Sequence, residues 1–265
     1  MVLGAGLEPA RISPHAPQAC VSANFTTRAI GGKNGVYNII NEYSMQEVFL
    51  IKYSTMFEVR KINFTKGGCS ILSGVTFSVS SGEVVALSGA NGAGKTTLLK
   101  ILAGIWMPSS GTAVFDGIDM VAEPVRYRRH LGWLGEAAPV DEDLTVKAYL
   151  KYRAKLKGEQ SRKIRHRVKE AMSMCGLAQL SDVLIGSLSR GLRKRVALAD
   201  AILLRPRLLL LDDVFAGLDE SARESVASMI SSFRTFAAVV LSGHEREWFN
   251  RIDAKIMELK GGKVS

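Results

Sequence analysis

The sequence predicts an α/β fold in which a mostly parallel sheet carries helices on its faces. Short apolar runs, such as residues 84–87 and Leu208–Leu211, have the length of buried strands. They alternate along the chain with segments of helical spacing, in which Ile164, Val168 and Met172 share one face. Strands that alternate with helices favour a mostly parallel sheet. With 265 residues, 47% of them apolar, the chain can build a sizeable core.

The first part of the domain reads as strands followed by one helix. Residues 57–65 (FEVRKINFT) alternate as a strand does, and VTFSVSSGEVVALSG predicts two strands joined at Ser81 and Gly82. A helix is expected over Lys95–Leu102, closed by Gly104. A short strand at residues 111–115 then runs into an Asp-Gly turn, which is typical of a hairpin.

The second part is helical before it returns to strands. Ser161 is a plausible N-cap of a helix that Gly176 stops. The face of that helix opposite the apolar one is basic, with Arg162, Lys163, Arg165, Arg167 and Lys169. The elements expected after it are a helix over 193–204, the strand Leu208–Leu211, a helix over about 219–233, a strand over 237–244 and a hairpin over 257–264.

Residues 1–55 differ from the rest of the chain. Pro9, Pro14 and Pro17 interrupt any helix, and neither helical nor strand spacing is sustained. We expect a poorly ordered extension, with the folded domain over residues 56–265. Because that domain can begin at Met56, and Met45 is a second candidate, we hypothesise that the upstream segment is an overextended reading frame. N-terminal sequencing of the natural protein tests this hypothesis, and a start at Met1 would contradict it.

Composition limits the class of protein. No apolar run approaches the roughly 18 to 20 residues that span a bilayer, and the N-terminus lacks the pattern of a secretion signal, so we expect a cytoplasmic protein. Cys20, Cys69 and Cys175 fit neither a disulfide framework nor a zinc spacing. The net charge of +10 is compatible with nucleic acid or anionic lipid as a partner, although a solvated basic surface is the simpler interpretation.

The most specific motif is GANGAGKT at residues 89–96, which has the P-loop spacing G-x-x-x-x-G-K-[ST]. A strand enters it and a helix leaves it, so its backbone N–H groups can surround a phosphate at a helix N-terminus. Lys95 can reach the terminal phosphates, and the Thr96 hydroxyl can ligate Mg²⁺. The predicted nucleotide-binding residues are Gly89, Ala90, Asn91, Gly92, Ala93, Gly94, Lys95, Thr96 and Thr97.

Two carboxylates follow the apolar strand Leu208–Leu211. Asp212 is the candidate on the metal side and Asp213 the candidate on the side of the attacking water. A buried strand that ends in acidic residues is common by itself. The P-loop elsewhere in the chain is what gives this pair its interpretation as part of a nucleotide site.

With these residues identified, the chain from residue 56 to residue 264 resembles the ATPase domain of ABC transporters. LSRGLRKRVALADAILLRPRLLLLDD at residues 188–213 looks like the family signature LSGGQ and its helix, running into the Walker B strand. The resemblance implies a P-loop NTPase core of ABC ATPase type, a small antiparallel β subdomain over 56 to about 125, and a helical subdomain over about 136–190. It also implies ATP and Mg²⁺ as cofactors.

Three further family elements appear in order. Residues 216–219 match the D-loop, and LSGH at 241–244 matches the strand of the switch histidine, so His244 is expected to approach the γ-phosphate. Residues 131–136 (LGWLGE) align with the Q-loop, which makes Glu136 a candidate third metal ligand beside Thr96 and Asp212. The resemblance thus assigns catalysis to Lys95, Asp213 and His244.

Several positions depart from the family pattern. Glu136 replaces a glutamine, as in several exporter-type subfamilies, and Asp213 replaces the catalytic glutamate. The aspartate side chain is shorter by one methylene, about 1.5 Å, so slow hydrolysis is expected. Other replacements are Arg190 and Leu192 in the signature, Val214 in place of a proline, and Lys66 at the adenine-stacking position, with Phe64 two residues earlier.

The resemblance implies an ATP-hydrolysing subunit that dimerises around ATP and drives a multi-span membrane permease from the cytoplasmic face of the cell membrane. In the family, Ser189 and Gly191 of one subunit would close over the nucleotide of the other, in a homodimer or a heterodimer. Export is favoured over import by Glu136, the single domain and the short C-terminus. One alternative is a degenerate ATP-binding switch, and another is a soluble ABC ATPase acting on nucleic acid or ribosomes, although nucleic acid is the less expected partner.

Overall fold

The computed structural model describes residues 56–137 and 139–264, so the predicted disorder of the first 55 residues lies outside the described residues. The strands are β1 (Met56–Lys66), β2 (Cys69–Ser80), β3 (Val84–Ser88), β4 (Ser110–Phe115), β5 (Ile118–Asp119), β6 (Leu131–Leu134), β7 (Leu208–Leu211), β8 (Ala238–Ser242), β9 (Lys255–Lys260) and β10 (Lys263–Val264). The helices are α1 (Lys95–Leu102), α2 (Pro124–Arg128), α3 (Val146–Leu156), α4 (Ser161–Met174), α5 (Arg190–Ile202), α6 (Glu220–Phe233) and α7 (Arg246–Arg251).

The described strands form two sheets. Four of them make an antiparallel sheet in the order β2-β1-β4-β5. The other six follow the order β10-β9-β3-β8-β7-β6, in which all neighbours are parallel except β10, which pairs antiparallel with β9. The predicted mostly parallel sheet and the smaller antiparallel sheet are therefore both present. The turn after β2 leads the chain from one sheet into the other.

The central strands are buried on both faces, which explains their continuous apolar sequences. In β3, Val84 and Ala86 belong to one apolar core, whereas Val85 and Leu87 belong to a second core. Successive side chains of a strand point to opposite faces, so the parallel sheet separates the two cores. The first core extends to helices α3 to α6, and the second is closed by α1 and the antiparallel sheet.

Helices α3, α4 and α5 pack against one another beside the parallel sheet. The apolar face predicted for α4 is buried, and Gly176, with φ of 63°, follows the end of the helix as expected. The predicted N-cap is wrong. Gln160 occupies that position without a side-chain cap, and Ser161 is already the first helical residue.

The helix expected over 193–204 begins three residues earlier, at Arg190. Ser189 precedes it as N-cap, and its hydroxyl oxygen accepts a hydrogen bond from the Leu192 N–H at 3.3 Å. This cap moves the start of α5 to the beginning of the signature-like segment.

Candidate functional site

A cleft lies at the carboxyl ends of β3, β7 and β8, where α1 begins. Its volume is about 370 Å³. Its lining residues are Ile71, Asn91, Gly92, Ala93, Gly94, Lys95, Thr96, Thr97, Glu136, Asp212, Asp213, Ser242 and His244. The fold thus brings together most of the predicted nucleotide-binding, catalytic and metal-binding residues, which are spread over more than 150 positions of the sequence.

The loop between β3 and α1 presents backbone N–H groups to this cleft. Gly94 is the N-cap of α1 and has left-handed backbone angles, φ 102° and ψ 9°. The first-turn N–H groups of a helix have no intrahelical acceptor, and the helix dipole adds partial positive charge there. The cleft therefore has the properties that bind an anion such as a phosphate.

Gly89, the first residue of the loop, is required by a close approach of two backbones. A Cβ at this position would lie 2.4 Å from the main-chain oxygen of Leu259 in β9. Any larger residue would push the loop away from the strand that supports it. Gly89 also contributes its carbonyl oxygen, which accepts a hydrogen bond from Lys95.

The Lys95 side chain is held inside the loop. Its Nζ donates to the carbonyl oxygens of Gly89 at 2.7 Å and Ala90 at 3.1 Å, and it lies 3.3 Å from Nε2 of His244. Burial lowers the pKa of Lys95, while the nearby carboxylate of Asp213 acts in the opposite direction. Because no carboxylate forms a salt bridge with the ammonium group among the described residues, it is available to an incoming phosphate.

Asp212 is fully buried and only partly satisfied. Its Oδ1 accepts hydrogen bonds from Thr96 Oγ1 at 3.1 Å and from Ser242 Oγ at 2.7 Å. Its Oδ2 is buried without a hydrogen-bond partner in the described part of the chain. A buried carboxylate oxygen in this state is suited to a cation or its bound water.

Asp213 has a restrained and unusual backbone. Its φ is +48°, its N–H donates to Ser242 Oγ at 3.0 Å, and its carbonyl accepts from Lys194 Nζ at 3.3 Å. Burial raises the pKa of its carboxyl group, and the carboxylate of Glu245 adds to the effect. Its Oδ1 is buried without a hydrogen-bond partner among the described residues, and the residue lines the cleft, so the carboxylate still has acceptor capacity next to the space that a nucleotide and a water would occupy.

Sequence reasoning missed the roles of Ser242 and Lys194. Ser242 joins both acidic residues, since its hydroxyl donates to Asp212 and accepts from the main chain of Asp213. The available signal was a hydroxyl at the end of a strand that could neighbour the acidic strand. Lys194 lies on α5, and nothing in the sequence pattern indicated that it would reach Asp213.

The predicted Mg²⁺ ligands fit a shared site rather than a closed protein cage. Thr96, Asp212 and Glu136 all line the cleft. In the described residues, no three His, Cys, Asp or Glu side chains converge on one metal position. Mg²⁺ usually keeps several waters and binds through one or two carboxylates together with substrate phosphates. The donor set, with its unsatisfied Asp212 oxygen, fits that mode.

Ser189 and Gly191 do not reach the cleft. The start of α5 borders a different cavity, of about 780 Å³, with Arg190, Arg193 and Lys194 on its wall. Gly191 packs against α6, where an added Cβ would lie 3.0 Å from Cβ of Ala222. Within this chain, the signature-like residues and the P-loop therefore face separate spaces.

Neither Lys66, at the adenine-stacking position, nor Phe64, two residues earlier, lines the cleft. Phe64 stacks on Trp106, with ring centroids 5.7 Å apart and an angle of 14° between the planes. Lys66 lies over the same indole, 4.8 Å from the ring centroid. Trp106, which the sequence reasoning did not single out, organises this cluster, whereas the cleft itself has Ile71 as an apolar wall.

Among the described residues, no helix has the length and apolar character that crossing a bilayer requires.

Comparisons with known proteins agree with this geometry. Residues 72–216 match the family described as ABC transporter. The sulfate/thiosulfate import ATP-binding protein CysA of Bradyrhizobium diazoefficiens is 33% identical over 213 residues, which cover 78% of this chain and 62% of the relative. The cytochrome c biogenesis ATP-binding export protein CcmA of Cupriavidus pinatubonensis is 37% identical over 159 residues, covering 60% of this chain and 70% of the relative.

A solved structure of the ATP-binding subunit of an ABC transporter superposes with a TM-score of 0.70 at 28% identity, covering 79% of this chain and 88% of that one. The chain spans between 55% and 63% of the length of the first curated relatives that it matches. The P-loop cleft, the two-sheet fold and the family match converge on one conclusion, that this chain belongs to the ATP-binding proteins of the ABC transporter family.

Proposed function

We propose that this protein is the ATP-hydrolysing subunit of an ABC exporter and that it acts as a dimer on the cytoplasmic face of the cell membrane. The observation that carries the proposal is the convergence of Lys95, Asp212, Asp213 and His244 on one cleft at a helix N-terminus. Two buried carboxylate oxygens in this cleft have no partner in the described part of the chain. These oxygens suit a divalent cation and an attacking water, whereas Lys95 and the N–H groups at the helix N-terminus suit a nucleotide phosphate.

In the proposed reaction, the loop N–H groups and Lys95 bind the β- and γ-phosphates of ATP. Bound Mg²⁺ would neutralise charge on the same oxygens, with Thr96, Asp212 and Glu136 as its protein-side ligands. Asp213 accepts a proton from the attacking water as the bond between the γ-phosphorus and the bridging oxygen breaks, giving ADP and inorganic phosphate. His244, 3.3 Å from Lys95, is positioned to donate a hydrogen bond to the γ-phosphate.

Dimerisation is supported by the separation of the two half-sites in one chain. Ser189 and Gly191 stand at the N-terminus of α5, a setting that suits a phosphate, yet they line no part of the P-loop cleft. In a head-to-tail dimer each α5 would face the nucleotide of the other subunit. Asp213→Asn, which removes the proton acceptor, should accumulate an ATP-dependent dimer in sedimentation, and adding Lys95→Ala should abolish it.

A membrane permease is the proposed partner, and a second groove offers it a docking face. The groove has a volume of about 370 Å³ and lies between α1, β6 and α3, with Ile105, Trp133, Glu136 and Tyr149 on its walls. Ile105 is 52% exposed, and such an apolar side chain would gain from being covered. Because Glu136 lines both this groove and the nucleotide cleft, the groove could report ATP binding to the partner.

Export is the proposed direction, because a glutamate at the position of Glu136 resembles the pattern of several exporter-type subfamilies. The curated relatives include both import and export proteins and favour neither direction. The helical subdomain over about 136–190 is proposed as the part that moves relative to the P-loop core. The transported substrate would be chosen by the permease.

The test is Mg²⁺-dependent ATP hydrolysis by the full-length chain, with nucleotide binding measured in parallel and Lys95→Ala as the control. We expect turnover that requires Mg²⁺ and is lost in the control. Absence of both binding and turnover, with and without reconstitution into membranes containing the partner, would contradict the proposal.

Asp213 favours one second candidate, an ATP-binding switch with little turnover. Its side chain is shorter than that of glutamate by one methylene, about 1.5 Å, so its carboxylate lies farther from the attacking water. A positioned general base typically accelerates a reaction by a factor of about 10² to 10⁴. For an active but slow hydrolase, Asp213→Glu should raise kcat by about tenfold or more. Tight ATP binding with no gain in turnover would favour the switch.

A further inference from the structure

Most of the net positive charge of this protein lies on helices α3 and α4 and the turn between them. Residues 147–170 contain ten lysines and arginines but only two acidic residues, Glu159 and Glu170, a formal charge of +8 against +10 for the whole chain. Part of this charge is used internally, since Arg153 and Lys157 form ion pairs with Asp200 at 2.9 and 2.8 Å. The remaining cations are not explained by the nucleotide site.

Four of these cations line a groove between the two helices, which we call the basic groove: Lys147 and Lys151 on α3, and Arg165 and Lys169 on α4. Each pair is spaced four residues apart, so both cations of a pair project on the same face of their helix. All four side chains are exposed. The groove has a volume of about 440 Å³, and the buried side chains of Val168 and Met172 form part of its wall.

The charge of the basic groove is poorly balanced by the protein. Asp182 lies 3.8 Å from Lys147 and also interacts with Lys151, but it is itself largely exposed, and it is one acid beside four cations. In the part of the chain that the structure describes, Lys151, Arg165 and Lys169 form no ion pair. Like charges gathered on two facing helices repel one another, and an anion in the groove would relieve that repulsion.

The surroundings of the groove select the class of anion. Its wall is apolar below a rim of cations. Two exposed apolar side chains, Tyr152 (52%) and Leu156 (60%), lie one turn apart on the solvent-facing side of α3, outside the groove itself. Lysine and arginine beside exposed aromatic and leucine side chains are typical of surfaces that lie in the membrane interface. A free phosphate would gain nothing from the apolar wall of the groove or from the exposed apolar side chains of α3. Surfaces that bind single-stranded nucleic acid usually carry several aromatic side chains on which bases stack.

We propose that the basic groove between α3 and α4 binds the headgroups of anionic phospholipids and so holds this side of the protein against the membrane surface. The proposal rests on the proposed function, which places the subunit beside a membrane. It adds a direct protein–lipid contact that does not pass through the permease.

The experiment is flotation of the full-length chain with vesicles of phosphatidylcholine alone and with vesicles that also contain phosphatidylglycerol. The test variant is K151Q/R165Q/K169Q. Its matched control is K255Q/K260Q/K263Q, which removes the same charge from exposed lysines on and beside β9. Because each Lys or Arg near an anionic surface strengthens binding about fivefold, the test variant should lose on the order of a hundredfold in partitioning, and the control much less. Single replacements should each cost about fivefold, so the result does not depend on the folding of the triple variant.

Binding to phosphatidylglycerol vesicles that decreases with salt and with the groove variant, but not with the control, supports the proposal. Equal losses in the two triple variants, or equal binding to both kinds of vesicle, would overturn it. Inorganic phosphate and single-stranded RNA are added as competitors of vesicle binding, to distinguish a lipid headgroup from a free phosphate and from a nucleic acid. Retention on RNA that depends on the groove, without vesicle binding, would also overturn it. ATP binding and Mg²⁺-dependent turnover are measured on the same samples. Intact turnover without vesicle binding would overturn the lipid contact and leave the proposed function standing.

Discussion

Ser242→Ala is the most informative single change, because one hydroxyl supports both acidic residues of the cleft. The substitution removes the hydrogen bond to Asp212 Oδ1, of 2.7 Å, and the acceptor of the Asp213 N–H, at 3.0 Å. Asp212 is fully buried, so water cannot easily replace the missing donor. The first loss removes a hydrogen bond to a charged group and the second leaves a donor unsatisfied, which together cost about 2.5–6 kcal/mol in free energy of unfolding.

For a chain of this size, 1 kcal/mol shifts Tm by about 2–4 °C, so a cost of about 3 kcal/mol predicts a fall of about 6–12 °C. The assay is thermal unfolding of the full-length protein followed by circular dichroism. Ser88→Ala is the matched control, since Ser88 is buried at the end of the adjacent strand β3 and its side chain makes no hydrogen bond with the residues that the structure describes.

The same variant should also lose ATP turnover, because Asp213 would no longer be held at φ of +48°. A Ser242→Ala protein that melts within about 2 °C of the Ser88→Ala control would refute the argument, since an energetic role of the hydroxyl predicts a larger shift.

Three further outcomes are expected. Lys194→Met removes the donor to the main-chain carbonyl of Asp213 and should lower kcat about tenfold at unchanged KM for ATP, whereas Lys194→Arg should retain most activity; a change in KM alone would contradict this role. Gly89→Ala places a Cβ 2.4 Å from a carbonyl of β9 and should weaken ATP binding and lower Tm together, as calorimetry of both properties would show. Burial raises the pKa of Cys175 to about 12, so at pH 8 a thiol reagent followed by peptide mass mapping should modify the exposed Cys69 and leave Cys175 unmodified until the protein unfolds.

Sequence and structure agree best where a short segment determines its own geometry. The helix over Lys95–Leu102 was predicted with its bounds, because the glycine-rich loop before it and the helical spacing within it are local properties. The predicted N-cap at Ser161 was wrong by one residue. Serine often caps helices, but Gln160 is the last residue with extended backbone angles (φ −63°, ψ 132°), so Ser161 already lies in the first turn of α4.

The residue types of the cleft could also be predicted from the sequence. The P-loop, the acidic residues after the strand Leu208–Leu211 and the histidine after β8 follow one another in a recognisable order. Their assigned roles remain predictions. The link through Ser242 could not be read in the same way, because serine is common at strand ends and its two partners are about thirty residues away in sequence.

By itself, the sequence determined the kinds of local structure and the chemistry they carry: apolar runs that become strands, glycines that shape an anion-binding loop, and acidic residues at a strand end. Only the tertiary structure decided which strands share a sheet, that Lys95 contacts His244, that Lys194 reaches Asp213, and that the cations of α3 and α4 face one groove. The physical reason is that periodicity and backbone preference act over a few residues, whereas these contacts depend on how the two cores pack on opposite faces of the parallel sheet.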